Sequence, residues 1–383
     1  MCNNIAMERI GIFGGTFDPV HCEHVRLAKS AISELSLDRL IIIPTFQPPH
    51  KTEKPLDASH RVNMLKLAFS GEDKVEISEF EIEKKGKSFT FETAEHFRRL
   101  FPDAKIFFIV GGDMLTDFKT WKNPDRILNA VDLAVFDREN YFTDYEKEEE
   151  YFSKTFGKSF TKLSYEGKNF SATKVRVYTA LGLNAEKEVP KQVYDYIVKN
   201  NLYGGEDYID FIKKVLTEKR LIHTANVAVT ALSKVKELGL DKSKVYMASL
   251  LHDCAKYLSP GDYKGFEVEA DMPSSVVHAF LGAYVIKHVL NIDDDDVIEA
   301  VKYHTTGKAN MTTLQKLIFL ADMVEEGRNY EGVELLRDLF EKDFEKCFRV
   351  ALSEELIHLK NKGQTIYFET VNAYNYYVRD KKE

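Results

Sequence analysis

The chain has 383 residues, 44% hydrophobic and 30% charged, with a net charge of −8 at neutral pH. That balance excludes a disordered chain, a collagen-like fibre and a small disulfide scaffold, and leaves room for two or three domains of ~150 residues. The negative charge gives no general attraction for a phosphodiester backbone, and no apolar run nears the ~20 residues of a membrane span, so neither nucleic acid nor a bilayer is an expected partner.

The opening MCNNIAMERI runs straight into a strand pattern and fits neither a signal nor a transit peptide. Arg9–Phe13 and Leu40–Pro44 are short aliphatic, β-branched runs, and His24–Leu35 between them has helical periodicity. Lys105–Val110 (KIFFIV) and Asp132–Phe136 (DLAVF) predict further strands with helices between, the alternation of a parallel sheet wrapped by helices. A charged loop, Asp144–Tyr151, precedes a last strand–helix segment, closed by a helix through VPKQVYDYIVKNNLY with Pro190 in its first turn. At Gly204–Gly205 the pattern changes. Helical periodicity takes over at Tyr208–Val215, His223–Leu238, Lys242–Cys254, Val277–Leu290, Val297–Tyr303, Thr312–Val324 and Phe340–Asn361. The acidic run Asp293–Asp296 fits a solvated helix N-terminus. The expectation is an α/β Rossmann-like parallel-sheet domain over residues 1–203 and an all-α domain over 204–383, joined by a Gly-Gly hinge. Cys2, Cys22, Cys254 and Cys347 are far apart and form no CxxC, so a reducing cytoplasm is the expected compartment.

The first chemical constellation is GIFGGTFDPVHCEH, from Gly11 to His24. A strand ends, Gly14 and Gly15 turn the chain without a Cβ in a ligand's way, and a helix begins near His21–His24. Free N–H groups at a helix start, with the dipole behind them, suit a triphosphate, and two histidines three apart would share a face and donate to it. No Gly-Lys-Ser/Thr follows, so this is no Walker A loop, and it is not GxGxxG. A glycine-rich turn with two incidental histidines is the plainer alternative.

On these residues the segment resembles the HxGH nucleotidyltransferases, and within them the nicotinate mononucleotide adenylyltransferases. The likeness runs over residues 8–203: PPHK at Pro48–Lys51, SHRVNML at Ser59–Leu65, FTFETAEHF at Phe89–Phe97, FIVGGDML at Phe108–Leu115 with Trp121 after it, and FSATKVR at Phe170–Arg176. The resemblance implies adenylyl transfer from ATP to nicotinate mononucleotide, with Mg²⁺ on the leaving phosphates. Gly14, Gly15, Thr16, Phe17, Asp18, Thr90, Gly111, Asp113 and Trp121 would line the nucleotides. Ser171, Thr173 and Arg176 would hold ATP phosphates, and His21, His24, Lys51 and Arg176 would neutralise the charge of in-line transfer. Two positions depart from the pattern. Glu23 stands where HxGH has glycine, so weaker ATP binding or a displaced side chain is expected, and Ala172 replaces a serine of the last motif.

The second constellation lies in the helical half: His223 in RLIHT, His252–Asp253 in LLHDCAK, His278 in VVHAF, His304 in KYHTTG and Asp322 in LIFLADMVEEG. Asp322 follows Ile318 by four in an apolar run, so its carboxylate faces the packed side, and a buried unpaired carboxylate costs roughly several kcal/mol. A shared cation resolves the problem for Asp322 and for the His252–Asp253 pair. Nitrogen and oxygen ligands without thiolate suit Fe, Mn, Zn or Mg rather than a cysteine-built structural zinc site. Each histidine alone could be mere packing, and His288 and His358 are read that way.

Together these residues resemble the HD-domain metal-dependent phosphohydrolases. HTTG at His304–Gly307 and LADMVEEGRNYEGV at Leu320–Val333 are similar to the bacterial HD family that splits diadenosine tetraphosphate symmetrically into two ADP, over residues 208–378. The resemblance implies His223, His252, Asp253 and Asp322 as the core metal ligands, His278 and His304 as ligands permitting a second cation, and Asp253 as the bridge. Asp253 and Lys256 would serve catalysis, with Lys256 and Arg328 neutralising polyphosphate and Thr305 contacting a nucleotide. TVNAYN (Thr370–Asn375) resembles a T-x-x-A-R-N tail with Tyr374 in place of the arginine, and offers Thr370 and Asn375 as candidate contacts. The whole reads as a bifunctional cytoplasmic enzyme acting on ATP, nicotinate mononucleotide and diadenosine tetraphosphate or related nucleotides. Two alternatives stay open: a helical half that senses a nucleotide without turnover, and two enzymes of other specificity.

Overall fold

A computed structural model of the chain describes residues 7–47, 55–138, 143–168 and 170–379. By compactness it forms two units, Met1–Val175 with Ala185–Asn200, and Arg176–Asn184 with Asn201–Glu383.

Along the first unit run β1 (Arg9–Gly15), α1 (Cys22–Glu34), β2 (Arg39–Pro44), α2 (Ala58–Ala68), β3 (Val75–Ile77), α3 (Phe80–Lys84), α4 (Thr90–Leu100), β4 (Lys105–Gly111), α5 (Gly112–Thr116), α6 (Pro124–Ala130), β5 (Asp132–Arg138), α7 (Tyr145–Phe156) and β6 (Phe160–Gly167). The signature helix α8 (Ala172–Ala180) comes next, and α9 (Lys191–Lys199) returns to this unit. The six strands are ordered β3-β2-β1-β4-β5-β6, and every neighbouring pair is parallel. The apolar runs explain the burial: Ile10 and Ile12 of β1, Phe108 and Val110 of β4, and Leu133 and Val135 of β5 pack in one core with Phe91, Phe97, Ile127 and Phe152 from the helices. In an open α/β sheet, ligands settle beyond the carboxyl ends of the strands where the order reverses. Here that point lies between β1 and β4, whose pairing ends at Ile12 and Phe108, and Gly15 and Gly111 end the two strands beyond it. The three-residue β3 escapes the periodicity reading because a strand this short shows no alternation to count.

The second unit is helical: α10 (Asp207–Val215), α11 (Glu218–Ser233), α12 (Val235–Leu238), α13 (Lys242–Leu251), α14 (Ser274–His288), α15 (Asp295–Lys302), α16 (Thr313–Val324), α17 (Val333–Lys342), α18 (Phe344–Asn361) and α19 (Phe368–Tyr374). Among the described residues it holds no strand. One core gathers Phe319 and Leu320 of α16 with Phe348 and Leu352 of α18, and another gathers Val177 and Leu181 with Ile209, Leu250 and Leu281.

Four expectations differ from the structure, each for a local reason. The charged stretch Asp144–Tyr151, read as a loop, opens helix α7, because the Asp144 carboxylate caps it by accepting from Lys147 N at 3.2 Å. The run His223–Leu238 belongs to two helices, and Lys234 between them is buried with its ammonium 2.8 Å from Glu237 and 3.0 Å from Glu341. Phe340–Asn361 likewise covers the end of α17 and all of α18, because Asp343 accepts from Lys346 N at 3.0 Å and starts a new helix. Pro190 sits at the N-cap of α9 rather than inside its first turn. Asp294 caps α15 through the backbone N–H groups of Asp296 and Val297, which places the acidic run at a helix N-terminus as its charge suggests. No helix among the described residues is long and apolar enough to cross a membrane.

Candidate active sites

At the switch point the chain leaves β1 through Gly14 and Gly15. A Cβ on Gly15 would sit 2.9 Å from the Phe17 ring, so that glycine makes room for a side chain of its own loop. Phe17 is buried and lies edge-on to His24 with centroids 5.0 Å apart, supporting the imidazole from beneath instead of offering a face to a ligand. His21 is the N-cap of α1 and His24 its third residue, and the two form a reciprocal capping box. His24 Nδ1 accepts the His21 backbone N–H at 3.1 Å, which leaves the ring proton on Nε2, and the two imidazoles stack at 3.6 Å. The pair thus meets through a cap and a stack rather than along a helix face. The Cys22 N–H is already spent on Glu188 O at 3.0 Å, so anion binding here leans on imidazole N–H more than on backbone N–H.

Glu23, the residue that departs from HxGH, is buried and turned away from the glycine loop toward β6. It accepts from Tyr165 Oη at 2.6 Å and Lys168 N at 2.9 Å, and pairs with Arg26. Burial works against its charge, but these donors outweigh burial and hold the carboxyl below its ordinary range. The displaced side chain, of the two outcomes expected from sequence, is the one observed.

Other predicted residues gather around the same edge. Thr16 is half-buried and its carbonyl accepts from Arg61 Nη1 at 2.8 Å. Asp18 Oδ2 accepts from Leu56 N at 3.3 Å. Gly111 ends β4, and Asp113 opens α5 one residue beyond Gly112, where a Cβ would collide with Thr143 Oγ1 at 2.1 Å. Thr90 begins α4, tied in by Phe46 N donating to Ser88 Oγ at 3.2 Å. Trp121 packs on Phe118 at 5.2 Å as part of the core boundary. Phe170 brings the FSATKVR segment beside His21, with ring centroids 6.0 Å apart, and Ser171 and Thr173 follow, half-buried, at the start of α8. Arg176 lies farther along α8, in the stretch that belongs to the second unit. Lys51 and the rest of PPHK lie outside the described residues.

In the helical unit six predicted side chains converge. His252 ends α13 and His304 follows α15, and each turns its Nδ1 back to a carbonyl three residues earlier, Ser249 O and Val301 O, both at 2.7 Å. His223, in the second turn of α11, meets the Glu325 carboxylate with Nδ1 at 3.0 Å. Carbonyls and carboxylates only accept, so all three rings carry a proton on Nδ1, and in the neutral form each aims an Nε2 lone pair inward. The Nε2 atoms of His223 and His252 then confront each other at 3.3 Å, an arrangement that needs a proton or a cation between them. Asp253 stands at the centre. Its Oδ2 lies 3.5 Å from His252 Nε2 and 3.8 Å from His223 Nε2, while Oδ1 lies 3.1 Å from His278 Nε2 and 3.7 Å from His304 Nε2. Asp322 Oδ1 completes the first group, 3.0 Å from His223 Nε2. Asp253 Oδ1 and His304 Nε2 are buried with no hydrogen-bond partner, as is the hydroxyl of Thr305.

The electrostatics follow from this crowding. Burial opposes the charge on Asp253 and Asp322, yet with a proton on the facing Nε2 atoms the imidazoles hold both carboxyls well below the usual range, helped for Asp322 by Arg328. Burial pushes His278 down to about 4, so it is neutral at physiological pH, with Nε2 shared between Lys256 and Asp253. The donor set fits divalent cations, since His223, His252 and Asp322 form one group that could hold an ion and His252, Asp253 and His304 another. Lys256 Nζ lies 3.1 Å from His278 Nε2 and 3.6 Å from Asp253 Oδ1. Arg328 is engaged with Asp322 through both carbonyl and carboxylate. Thr370 is buried near the start of α19, and Asn375 follows that helix. The tail reaches the HTTG loop through Ala373, which a Cβ on Gly307 would approach to 3.2 Å.

Four structural partners were not anticipated. Arg220 donates to Asp253 Oδ2 at 2.7 Å, Glu325 orients His223, and Asn226 supports Glu325 at 2.9 Å. Arg61, almost wholly buried, spends its guanidinium on the carbonyls of Thr16, Thr45 and Leu56 and so braces the glycine loop. The signal for three of them was spacing: Arg220 and Asn226 flank His223 by three, and Glu325 follows Asp322 by three.

Comparison with known proteins follows the same division. Residues 12–177 match the cytidylyltransferase-like family model and residues 220–327 the HD domain model. A Clostridium tetani protein named "Probable nicotinate-nucleotide adenylyltransferase" is 39% identical over 201 residues, 51% of this chain and 100% of that protein. A Mycoplasma pneumoniae protein named "Probable nicotinate-nucleotide adenylyltransferase/Ap4A hydrolase" is 29% identical over 353 residues, 89% of this chain and 97% of that one. Among solved structures, an HD superfamily hydrolase from Clostridium acetobutylicum, described as involved in NAD metabolism, is 33% identical, with a TM-score of 0.43, covering 45% of this chain and 95% of that one.

Proposed function

From the premise that this chain belongs to the nicotinate-nucleotide adenylyltransferase family and carries an HD domain after it, we propose a bifunctional enzyme. Residues 1–203 join ATP and nicotinate mononucleotide into nicotinate adenine dinucleotide and pyrophosphate. Residues 204–383 hydrolyse diadenosine tetraphosphate to two ADP.

In the first reaction a phosphate oxygen of the mononucleotide attacks the ATP α-phosphorus and pyrophosphate leaves. Positioning and charge neutralisation dominate such a transfer. The observation that supports it is the His21–His24 cap at the switch point: the His21 backbone N–H on Nδ1 fixes the His24 proton on Nε2, a donor for phosphate oxygen. Ser171, Thr173, Arg176 and Lys51 supply further donors to the triphosphate, which arrives with Mg²⁺. Arg61 keeps the loop at Thr16 in place.

For the second reaction the supporting observation is Asp253, whose two oxygens are divided between the His223–His252 side and the His278–His304 side. His223, His252, His278, His304, Asp253 and Asp322 would hold one or two divalent or iron cations. Bound there, such cations supply Lewis-acid charge and an activated water. The chain's own part is to fix the ligand tautomers through Ser249, Val301 and Glu325, and to set Lys256 and Arg220 beside Asp253 where polyphosphate charge must be met. Thr305 places an unpartnered hydroxyl next to His304 for a nucleotide contact.

The test uses the intact chain. ATP, Mg²⁺ and nicotinate mononucleotide should yield the dinucleotide, with nicotinamide mononucleotide and phosphopantetheine as poor substitutes. Diadenosine tetraphosphate with Mn²⁺ or Fe²⁺ should yield ADP alone. ATP plus AMP would make the cleavage asymmetric, and no product with any metal would leave the helical half a binding module.

A further inference from the structure

Tyr178 lies outside both matched stretches, one residue past 12–177 and well before 220–327. Its hydroxyl nevertheless donates to Asn226 Oδ1 at 2.6 Å. Asn226 is buried and donates from Nδ2 to Glu325 Oε2 at 2.9 Å, and Glu325 takes the His223 Nδ1–H on its other oxygen at 3.0 Å. The four side chains form one line within the second unit, and the chemistry of each link sets its direction. A carboxylate can only accept, so Asn226 must turn its NH₂ toward Glu325 and its carbonyl toward the tyrosine, and His223 must carry its proton on Nδ1. The line ends on the Nε2 lone pair that faces His252 and Asp322.

We propose that Tyr178 is a positioning residue for the cation centre: through Asn226 and Glu325 it holds His223 in the tautomer and orientation that ligates. The proposal rests on the reading of the six-residue cluster as a divalent-cation site. Without the hydroxyl, the Asn226 carbonyl is left buried and unmet, which loosens the amide that donates to Glu325. Groups that orient a metal-bound histidine typically change affinity by about 10–100-fold, and Tyr178 acts two links farther out, so a loss of roughly 3–10-fold is expected. It lies on α8, the helix that begins within FSATKVR, a segment neither family model assigns to the hydrolase half.

The experiment titrates metal-free full-length protein with Mn²⁺, following free Mn²⁺ by its paramagnetic resonance signal, for wild type, Tyr178→Phe, Asn226→Leu, Glu325→Gln and Tyr178→Phe/Glu325→Gln, with thermal melts of each. Expected are weaker Mn²⁺ binding by Tyr178→Phe, a larger loss for Asn226→Leu, and a double variant no worse than Glu325→Gln alone, because both changes break one line. The KM for diadenosine tetraphosphate at saturating Mn²⁺ should stay near the wild-type value. An unchanged Mn²⁺ affinity in Tyr178→Phe, with or without a lower melting temperature, or losses that add in the double variant, overturns the proposal. Wild-type protein that binds no Mn²⁺ overturns the cation reading on which it rests.

Discussion

The glycine loop of the sheet unit and the cluster of the helical unit both gather histidines, and they set the rings in opposite senses. His24 receives a backbone N–H on Nδ1, so its Nε2 carries a proton and suits an anion. His223, His252 and His304 give their Nδ1 protons to a carboxylate or carbonyl, so their Nε2 atoms carry lone pairs and suit a cation. The acids differ in the same way. Asp253 and Asp322 each pair with an arginine, Arg220 and Arg328, and still face imidazole nitrogens, which leaves room for a cation, whereas Glu23 is met by Tyr165, Lys168 and Arg26 and faces no imidazole lone pair. The residue type is common to both regions. What touches Nδ1 decides which ligand each ring can take.

The largest expected effect comes from breaking the cluster at its centre. Asp253→Ala removes the group common to both sides and should abolish bound metal and cut hydrolysis by about 10³-fold or more, while adenylyl transfer persists. Metal analysis beside both assays decides it, and retained metal would place the site elsewhere. Next in size, His24→Ala should lower adenylyl transfer by about 10²–10³-fold, the usual cost of one preorganised donor on a developing charge, with hydrolysis untouched. A subtler variant tests the tautomer at His24. A glutamine amide N–H can donate as the imidazole Nε2–H does, so His24→Gln should recover part of the transfer lost in His24→Ala. No recovery at all, with the fold intact, would contradict a donor at this position.

The two regions also differ in how far their amino acids announce them. The strands of the sheet unit were legible because Leu40–Pro44, Lys105–Val110 and Asp132–Phe136 are apolar runs too short for helices, and β3 was not because three residues cannot show a period. The ligands of the helical unit were legible from burial logic, since Asp322 in an apolar run demands a counter-charge. Their supports gave only a weak signal. Arg220, Asn226 and Glu325 stand three places from a ligand, a spacing ordinary helix residues share, until packing turns Arg220 to Asp253, Glu325 to His223 and Asn226 to Glu325. Asp343 and Lys234 broke predicted helices through capping and ion pairs that a periodicity count does not see. In the glycine loop, the cap between His21 and His24 replaced the shared helix face, because side-chain-to-backbone bonds at a helix start compete with the regular spacing.

The smallest predicted effect concerns Glu23, and it separates stability from chemistry. Glu23→Gly restores the family's residue but deletes a buried carboxylate that takes bonds from Tyr165, Lys168 and Arg26. Its folded carboxyl lies below the ordinary range, with burial opposing and the hydrogen bonds prevailing, so the stability it adds is full above the unfolded value of about 4.3 and is lost as pH falls through the lower folded value. At pH 7 the variant should therefore unfold more easily, by roughly 1–3 kcal/mol from the lost charged hydrogen bonds plus about 0.5–1 kcal/mol for glycine within a helix. Denaturant titrations from pH 7 down to 3 should show the first part fading and the glycine part remaining. Because the carboxylate faces β6 rather than the glycine loop, the kcat/KM for ATP should change by less than about three-fold, well under the cost of losing a preorganised donor. A variant of unchanged stability with a large gain in ATP turnover would mean that the acid faces the phosphates after all.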